Sequence, residues 1–309
     1  MVNLTKLLVI AGPTASGKTK LSVELALRLG AEIISADSVQ VYKGMDIGSA
    51  KPKKAELKGV RCHLIDVVTP DVDYNVANYV RDAEAAIDDI TKRGKRVIVT
   101  GGTGLYIRAL LHGLFEGPPR DTELRKGLIK EAEEKGREAL YERLRAVDPA
   151  AAASMHSNNI SRVVRALEVY LLSGRPISKF QKEHGFKEEK HPHLVVGLVK
   201  ERAILYKDIE TRVDEMIQSG LEKEVRGLLD NGYAPSLKSM STLGYKEMAS
   251  YVNDGLTREE AVELIKKNTR NYAKRQLTWF KKVPGIVWME PVAVDKIDAM
   301  AAEFFAKGS

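Results

Sequence analysis

Residues 12–19 read Gly-Pro-Thr-Ala-Ser-Gly-Lys-Thr and lie between an apolar run, residues 6–11, and an amphipathic one, residues 20–29. The octet matches the P-loop pattern G-x-x-x-x-G-K-[ST]. The apolar run is short and ends at a glycine, which predicts a buried strand. Leucines four residues apart in the second run predict a helix, which Gly30 ends. The octet therefore stands between a strand and a helix, as the motif requires.

The P-loop chemistry predicts a bound phosphate or diphosphate group. Glycines let the backbone turn its N–H groups toward phosphate oxygens, and the N-terminus of the helix adds a partial positive charge. We expect Lys18 to reach the terminal phosphate and the Thr19 hydroxyl to ligate Mg²⁺. The alternative, a turn that binds nothing, does not account for the strand and helix on either side. The predicted diphosphate-binding residues are Gly12, Pro13, Thr14, Ala15, Ser16, Gly17, Lys18 and Thr19.

Three further apolar runs, at 32–35, 63–68 and 96–100, repeat the strand pattern, and the last two bracket a helical stretch at 76–92. Strands that alternate with helices predict an α/β fold built on a P-loop, doubly wound, mainly parallel sheet. Ligands of such sheets bind beyond the carboxyl ends of the strands. The segments that directly follow the strands are therefore the candidates for the functional site.

The pattern changes over residues 115–193, where charged helical periodicity replaces the strand signal at 123–145 and at 160–172, and Gly174 ends the latter. A strand-like run returns at 194–199, and most of 202–282 is again helical. We therefore expect a catalytic core formed by residues 1–114 and 194–309, with basic helices in its C-terminal part. Residues 115–193 are expected to form a helical insertion domain.

Composition limits the class of protein. Of 309 residues 44% are hydrophobic and 29% are charged, which is typical of a soluble globular chain. The longest early apolar run, residues 7–11, is far too short to cross a membrane, so we expect a cytoplasmic protein without a membrane partner. Cys62 is the only cysteine, which excludes a disulfide framework or a cysteine-based zinc site within one chain. A monomer is expected.

Two positions beyond predicted strands suggest chemistry. Asp37 is placed to point into the same cleft as the P-loop, where its carboxylate could take a proton from an incoming nucleophile. The alternative, that Asp37 is only a turn residue, is the commoner role of an isolated aspartate after a strand. Thr103, in the glycine-rich turn 101–104, could present its hydroxyl to the same cleft or serve only as part of that turn.

An ordinary NTPase has an aspartate at the end of a neighbouring hydrophobic strand, which holds magnesium through water. The run 96–100 ends instead in Gly101-Gly102-Thr103, and Leu64-Ile65-Asp66 is a weak match. The phosphates are therefore better assigned to a ligand other than a nucleotide that is hydrolysed.

The net charge of +7 is concentrated in one segment. Residues 264–289 contain seven Lys or Arg and no Asp or Glu. On a helical wheel an apolar arc that begins at Ile265 is predicted to be buried, and the cations lie on the remaining face. Solvated faces normally mix charges of both signs, so this one favours contact with a polyanion. The seven cations are Lys266, Lys267, Arg270, Lys274, Arg275, Lys281 and Lys282.

Taken together, these motifs closely resemble the bacterial-type tRNA dimethylallyltransferases, also called tRNA isopentenyltransferases. The resemblance runs nearly end to end. Besides the P-loop, it is carried by residues 37–48, beginning Asp-Ser-Val-Gln-Val-Tyr, by Gly101-Gly102-Thr103-Gly104-Leu105-Tyr106, and by three later stretches. Those stretches are 162–168 with Gly174-Arg175, Leu243-Gly244-Tyr245, and Lys274-Arg275-Gln276-Leu277-Thr278-Trp279-Phe280.

The resemblance implies that the P-loop holds the diphosphate of dimethylallyl diphosphate with Mg²⁺. The acceptor it implies is N6 of the adenosine immediately 3′ of the anticodon, so the macromolecular partner is the tRNA anticodon stem-loop. Asp37 matches the family's proton acceptor, Thr103 a threonine near the acceptor base, and Arg212 an arginine credited with diphosphate contact. The implied tRNA contacts are Asp37, Ser38, Val39, Gln40, Thr103, Arg125, Ser161, Arg162, Val163, Val164 and Arg165, to which the cationic segment adds Lys267, Arg270, Lys274 and Arg275.

Three other functions share some of these features. A small-molecule kinase has the same fold and P-loop and predicts ATP turnover. A prenyltransferase that acts on free AMP has little use for the cationic segment or the helical insertion. A non-catalytic RNA-binding protein that uses a nucleotide as a switch predicts no group transfer.

Overall fold

The computed structural model describes residues 4–186 and 188–307. The chain divides into two units, one formed by Met1–Leu111 with Lys190–Ser309 and the other by His112–Glu189. The first unit contains a six-stranded sheet in the order β3-β2-β4-β1-β5-β6, and every described neighbouring pair is parallel. The predicted parallel α/β fold is confirmed. The strands are β1 Leu7–Ala11, β2 Ala31–Ser35, β3 Cys62–His63, β4 Arg96–Gly101, β5 His193–Leu198 and β6 Val287–Met289.

Helices cover both faces of this sheet. Side chains alternate along a strand, so Leu7 and Val9 pack into one apolar cluster while Leu8 and Ile10 pack into another on the opposite face. The helices are α1 Lys18–Leu29, α2 Lys54–Leu57, α3 Val76–Lys92, α4 Gly104–His112, α5 Thr122–Lys135, α6 Arg137–Val147, α7 Pro149–Ala153, α8 Ile160–Ser173, α9 Ile177–His184, α10 Arg202–Gln218, α11 Leu221–Asp230, α12 Tyr245–Val252, α13 Arg258–Phe280 and α14 Val294–Ala306.

Strand register brings the predicted site loops to one edge of the sheet. Ala11 at the end of β1 pairs with Gly101 at the end of β4, and Ser35 at the end of β2 pairs with Thr100. The loops that follow these three strands therefore begin at the same level. This edge is where ligands of parallel sheets bind.

The second unit is helical and has its own core. Its buried residues come from α5, α6, α7, α8 and α9 and include Leu128, Leu144 and Leu167. The stretch predicted to be helical at 123–145 forms two helices, because Gly136 takes a left-handed φ of 89° between α5 and α6. The end of α8 follows the prediction: Gly174 is left-handed and donates its N–H to the Tyr170 carbonyl.

One predicted strand is wrong for most of its length. The run 63–68 was expected to be a strand, but β3 ends at His63 because Leu64 and Asp66 adopt φ angles of 61° and 56°. Extended strand requires negative φ. Asp66, weakly matched to a magnesium-binding aspartate, instead forms an ion pair with Lys51 at 2.6 Å. Across residues 4–186 and 188–307, no helix has both the length and the apolar character needed to cross a membrane.

Candidate active site

The P-loop has the backbone geometry that its sequence predicts. Gly12 and Gly17 have φ angles of 153° and 89°, and Ala15 between them has a φ of 60°. A Cβ on Gly12 would lie 3.0 Å from the carbonyl oxygen of Leu198, so the loop also needs a glycine there for space. Helix α1 begins at Lys18, directly after the loop. The positive end of the helix therefore faces the loop's concave side.

Two polar side chains of the loop point to an anionic ligand. Ser16 is fully buried, and its hydroxyl has no hydrogen-bond partner among the residues that the structure describes. A buried hydroxyl without a partner is unfavourable, and phosphate oxygens would satisfy it. The Lys18 ammonium donates to the Pro13 carbonyl at 2.6 Å. Burial of that ammonium, and then the nearby charge of Arg212, lower the pKa of Lys18 to about 7.

Lys18, Arg212 and Asp37 form one electrostatic cluster. Burial also lowers the pKa of Arg212, whereas the carboxylate of Asp37 acts in the opposite direction on both cations. Glu215 and Glu56 also act on Arg212, yet burial outweighs these acids and disfavours the positive charge of both basic groups. An anionic ligand would compensate that charge. The structure thus brings together three residues that are far apart in the chain. The P-loop motif or the family resemblance had predicted each of them to act on the diphosphate or on the acceptor.

Asp37, the acid of this cluster, also forms a turn with the residues that follow it. Its Oδ1 accepts hydrogen bonds from the backbone N–H groups of Val39 at 2.8 Å and Gln40 at 3.3 Å. The Thr103 hydroxyl accepts from the Ser38 N–H at 3.2 Å, which ties the loop after β2 to the loop after β4. The turn role that the sequence left open is therefore present, and it holds the carboxylate beside Lys18 and Arg212.

Sequence reasoning missed two residues of α13 that complete the site. Gln276 accepts from the Thr14 N–H of the P-loop at 2.9 Å and donates to the Gly102 carbonyl at 3.0 Å. Burial and the charge of Asp37 raise the pKa of Tyr272 to about 12, against opposing hydrogen bonds from Thr103 and Gln276. The available signal was the wheel of α13, where both polar side chains fall on the arc predicted to be buried.

Helix α10 and the residues before it also support the P-loop. Ala15 packs against Leu205 and Ile209 of α10 and Ala273 of α13. Lys200 donates to the Ala15 carbonyl at 3.2 Å and forms an ion pair with Asp208 at 2.6 Å. Lys200 was also missed, because a lone lysine after a strand has no distinctive spacing.

The exposed face of α13 is cationic, but less uniformly than its own sequence predicts. Lys267, Lys274 and Arg275 are exposed. Arg270 forms an ion pair with Glu210 at 2.5 Å, and Lys266 forms one with Asp214 at 2.8 Å. Acidic groups absent from the segment are thus supplied by α10, which lies next to α13 in the fold.

The predicted RNA-contact residues of the second unit are in different environments. Ser161 and Arg162 are exposed at the start of α8, whereas Val163 and Val164 are 0% and 1% exposed in the core of the unit. That burial is incompatible with a side-chain contact of either valine with RNA. Arg125 and Arg165 both bind the buried carboxylate of Glu168, at 3.0 and 2.7 Å.

The loop after β2 is equally well held. Ser38, Val39 and Gln40 are partly exposed. The Gln40 side chain accepts from the Ser35 hydroxyl at 3.0 Å and donates weakly, at 3.4 Å, to the carbonyl of Ala50. The segment is therefore a fixed platform.

The residues present suit Mg²⁺ only together with a phosphate ligand. In the part of the chain that the structure describes, no group of three or more His, Cys, Asp or Glu side chains is arranged to hold a metal ion. Thr19, in the first turn of α1, offers a hydroxyl oxygen, the kind of hard donor that Mg²⁺ prefers. Phosphate oxygens would have to supply much of the remaining coordination.

Comparison with known proteins agrees with this geometry. Residues 40–283 match the family described as IPP transferase. The chain is 53% identical over 302 residues to a tRNA dimethylallyltransferase 2 of Geotalea uraniireducens (strain Rf4), covering 97% of each chain. It is 50% identical to a tRNA dimethylallyltransferase of Geobacter metallireducens, covering 97% of this chain and 98% of the relative.

Solved structures are similar along the same length. The full-length tRNA isopentenylpyrophosphate transferase of Bacillus halodurans superposes with a TM-score of 0.73 at 40% identity, over 97% of this chain and 96% of that one. A eukaryotic dimethylallyltransferase acting on tRNA gives a TM-score of 0.80 at 29% identity, over 97% of this chain and 77% of that one. The chain therefore belongs to the IPP transferase family, the family of the tRNA dimethylallyltransferases.

Proposed function

We propose that this enzyme transfers a dimethylallyl group from dimethylallyl diphosphate to N6 of the adenosine immediately 3′ of the anticodon in tRNA, releasing diphosphate. The observation that carries the proposal is the cluster of Lys18, Arg212 and Asp37 beyond the strand ends. Two cations suit a diphosphate leaving group, and a carboxylate beside them suits the proton of the attacking amine. A phosphoryl-transfer enzyme could use the same three groups; the relatives named tRNA dimethylallyltransferase favour prenyl transfer.

The leaving group is assigned to the P-loop and its neighbours. As the bond between C1 of the allyl group and the diphosphate oxygen breaks, negative charge grows on the diphosphate. Lys18, Arg212, the Ser16 hydroxyl and the α1 N-terminus lie in or beside the P-loop and would stabilise the charge. Bound Mg²⁺, held by the Thr19 hydroxyl and by phosphate oxygens, would neutralise further phosphate charge.

The acceptor is assigned to the platform after β2. The N6 nitrogen attacks C1, the carbon–nitrogen bond forms as the carbon–oxygen bond breaks, and one N6 proton passes to Asp37. Val39 and Gln40 hold Oδ1 of that carboxylate. Oδ2 takes part in no hydrogen bond among the described residues and is the oxygen we assign to the proton. The Thr103 hydroxyl, fixed by the Ser38 N–H, would orient the adenine amine.

The tRNA is assigned to two surfaces. On the first unit the exposed cations Lys267, Lys274 and Arg275 of α13 suit a phosphate backbone. On the second unit Ser161 and Arg162 offer exposed polar groups. The target adenosine must leave the stacked loop, because N6 would otherwise not reach a recessed diphosphate. All the catalytic groups proposed here come from one unit of one chain, which supports a monomeric enzyme.

One assay separates this function from its rivals. Purified protein with Mg²⁺ would be incubated with labelled dimethylallyl diphosphate and, in turn, an anticodon stem-loop, AMP or no acceptor, and separately with labelled ATP. We expect label only in the stem-loop, lost when its target adenosine is replaced by guanosine, and none with Lys18→Ala. Labelled AMP would indicate a free-nucleotide prenyltransferase, ATP turnover a kinase, and stem-loop binding without transfer a non-catalytic protein.

A further inference from the structure

Helix α13 has two faces with different partners. Its exposed face carries Lys267, Lys274 and Arg275, while its buried face carries Gln276, only 6% exposed. The oxygen and the nitrogen of the Gln276 side-chain amide both form hydrogen bonds with main-chain groups. Its oxygen accepts from Thr14 of the P-loop at 2.9 Å, and its nitrogen donates to Gly102 at 3.0 Å. One side chain thus joins the loop after β1 to the loop after β4.

The fit around this amide is tight. A Cβ on Gly102 would lie 2.1 Å from the Gln276 nitrogen, and a Cβ on Gly104 would lie 2.2 Å from the Trp279 indole. A Cβ at either position would force the Gln276 or Trp279 side chain to move, so the two glycines allow α13 to approach the loop that contains Thr103. The contact between α13 and this loop is therefore specific to these residues and is not loose packing.

The amide group suits both bonds, because it has an acceptor and a donor at the end of one side chain. The Thr14 N–H requires an acceptor and the Gly102 carbonyl requires a donor, and a glutamine supplies one of each. Glutamate at the same position would keep the acceptor, lose the donor and put a negative charge beside the P-loop. Methionine would fill the same space and provide neither bond.

We propose that Gln276 is a positioning residue, which fixes the P-loop against the Thr103 loop and so sets the affinity for diphosphate. The inference rests on the proposed function, because it assigns diphosphate to the P-loop. Gln276 does not itself contact the reacting atoms. It holds the Thr14 main chain, at the start of the loop, at a set separation from Thr103, which faces the acceptor. The spacing of the diphosphate and acceptor subsites is thereby tied to α13.

The test compares three variants with the wild type by isothermal titration with inorganic diphosphate and Mg²⁺. Gln276→Met removes both bonds, and Gln276→Glu removes one and adds charge. Thr269→Val is the matched control: Thr269 lies on the same helix, is 8% exposed, and bonds only within α13, to the Ile265 carbonyl. Thermal unfolding of each variant measures any general loss of stability.

A positioning role predicts that diphosphate binding weakens when Gln276 is replaced and does not weaken when Thr269 is replaced. We expect Gln276→Met to weaken diphosphate binding about 10-fold and Gln276→Glu about 100-fold, the range for losing a buried hydrogen bond and for adding an unpaired charge. The KM for dimethylallyl diphosphate should rise by the same factors, with the KM for the stem-loop unchanged. Thr269→Val should lower the melting temperature and leave both KM values at wild-type levels. Exchange of the Thr14 amide hydrogen should become faster in Gln276→Met.

The outcomes distinguish this inference from the proposed function. If wild-type protein transfers the prenyl group but both folded Gln276 variants bind diphosphate normally, the positioning role is refuted and the proposed function stands. If Gln276→Met does not fold, Gln276→Asn decides the matter, because it shortens the amide by one methylene and so weakens both bonds without adding charge. Equal loss of diphosphate affinity in Thr269→Val would also refute it, because the effect would then belong to the packing of α13.

Discussion

The Val39 N–H donates to Oδ1 of Asp37 at 2.8 Å, so the residue that we propose as the proton acceptor is also the residue that shapes its own loop. A second bond to the same oxygen, from Gln40 at 3.3 Å, completes the turn. Because one carboxylate oxygen is engaged in this way, the other is held in a defined direction. A structural role and a catalytic one are therefore compatible in this side chain.

Asp37→Asn separates those two roles. The amide oxygen of asparagine can still accept from Val39 and Gln40, so the turn and both substrate affinities should persist. An exocyclic adenine amine is barely basic and gives up its proton only as the carbon–nitrogen bond forms, so the acceptor matters in the transition state. We expect single-turnover transfer to slow by roughly 10² to 10⁴-fold, the usual range for a positioned base.

The control is another aspartate whose carboxylate accepts a hydrogen bond from a nearby backbone N–H but which lies outside the proposed site. Asp121 caps α5 by accepting from the Leu124 N–H at 2.9 Å. Asp121→Asn should therefore retain its cap and the wild-type transfer rate. A single-turnover rate of Asp37→Asn within a few-fold of wild type, with stem-loop saturating, would remove Asp37 from the chemistry and leave it as a turn residue.

From residue patterns alone, the sequence predicted the site only at the strand ends; Arg212 of α10 came from the family resemblance. P-loop geometry follows from eight contiguous residues, and the approach of Asp37 to Lys18 follows from the rule for parallel sheets. The bridge from Gln276 to Thr14 spans 262 residues and depends on how α13 packs. No spacing in the sequence encodes such a contact. The sequence indicated only that a polar residue lay on a buried arc.

Charge was predicted less well than fold, because the neutralising partners are distant in sequence. Seven cations without an acid in residues 264–289 indicated a uniformly cationic face. Glu210 and Asp214 of α10 reach two of them. Similarly, the strand expected at 63–68 failed because apolar character alone cannot exclude the left-handed turns at Leu64 and Asp66.

These ion pairs change the design of the RNA-binding test. The cations of α13 that are exposed and in no described ion pair are the ones to neutralise. Replacing all three should weaken stem-loop binding and reduce the magnitude of the log–log salt slope by about 0.7 to 0.9 per lost phosphate contact. Binding would be measured by fluorescence anisotropy from low to moderate salt. The triple variant is Lys267→Ala, Lys274→Ala and Arg275→Ala.

Two controls make the salt slope interpretable. Arg270→Ala removes a cation that Glu210 already partly neutralises, so it should change the slope less than any of the three exposed positions. A triple variant of exposed lysines on or near α2 and α3 lowers the net charge equally and should leave the slope unchanged; it replaces Lys54, Lys58 and Lys92. If the slope fell equally for both triple variants, RNA binding would depend on the net charge of the protein and not on the exposed face of α13.

Glu168 should matter for the stability of the second unit. Its carboxylate is fully buried, which acts to raise its pKa, but hydrogen bonds from Arg165 and the Asp121 N–H, and the charge of Arg125, lower the pKa overall. A carboxyl whose pKa is lowered on folding adds stability above its unfolded pKa and loses it as pH falls. Glu168→Ala leaves two arginines without their shared partner and should cost about 3 to 5 kcal/mol near neutral pH.

The measurement is urea unfolding at several pH values. The difference in unfolding free energy between wild type and Glu168→Ala should shrink as pH falls below about 4.5, the region where the unfolded carboxyl protonates. Glu183→Ala is a suitable control, because this residue pairs with Arg175 on the exposed surface of the same unit. A difference independent of pH would mean that Glu168 acts through packing and not through its charge.

Lys18 should take up a proton when diphosphate binds. Burial of its ammonium group and the charge of Arg212 lower its pKa to about 7 in the protein without ligand. A diphosphate beside the ammonium favours the charged form and should raise that pKa again. At pH 8 most Lys18 side chains are neutral before binding and charged after it, so we expect uptake approaching one proton; at pH 6 the uptake from Lys18 should nearly vanish. Titration calorimetry with inorganic diphosphate in two buffers of different ionisation enthalpy measures the number of protons taken up.

Lys20→Met is the control: it removes an exposed lysine two residues after Lys18 and should show the same proton uptake as wild type. Subtracting the protonation change of free diphosphate isolates the contribution of the protein, and apparent affinity should fall as pH rises above 7. Identical binding heats in both buffers at pH 8, after that subtraction, would contradict the prediction, because Lys18 would then not change its protonation state on binding.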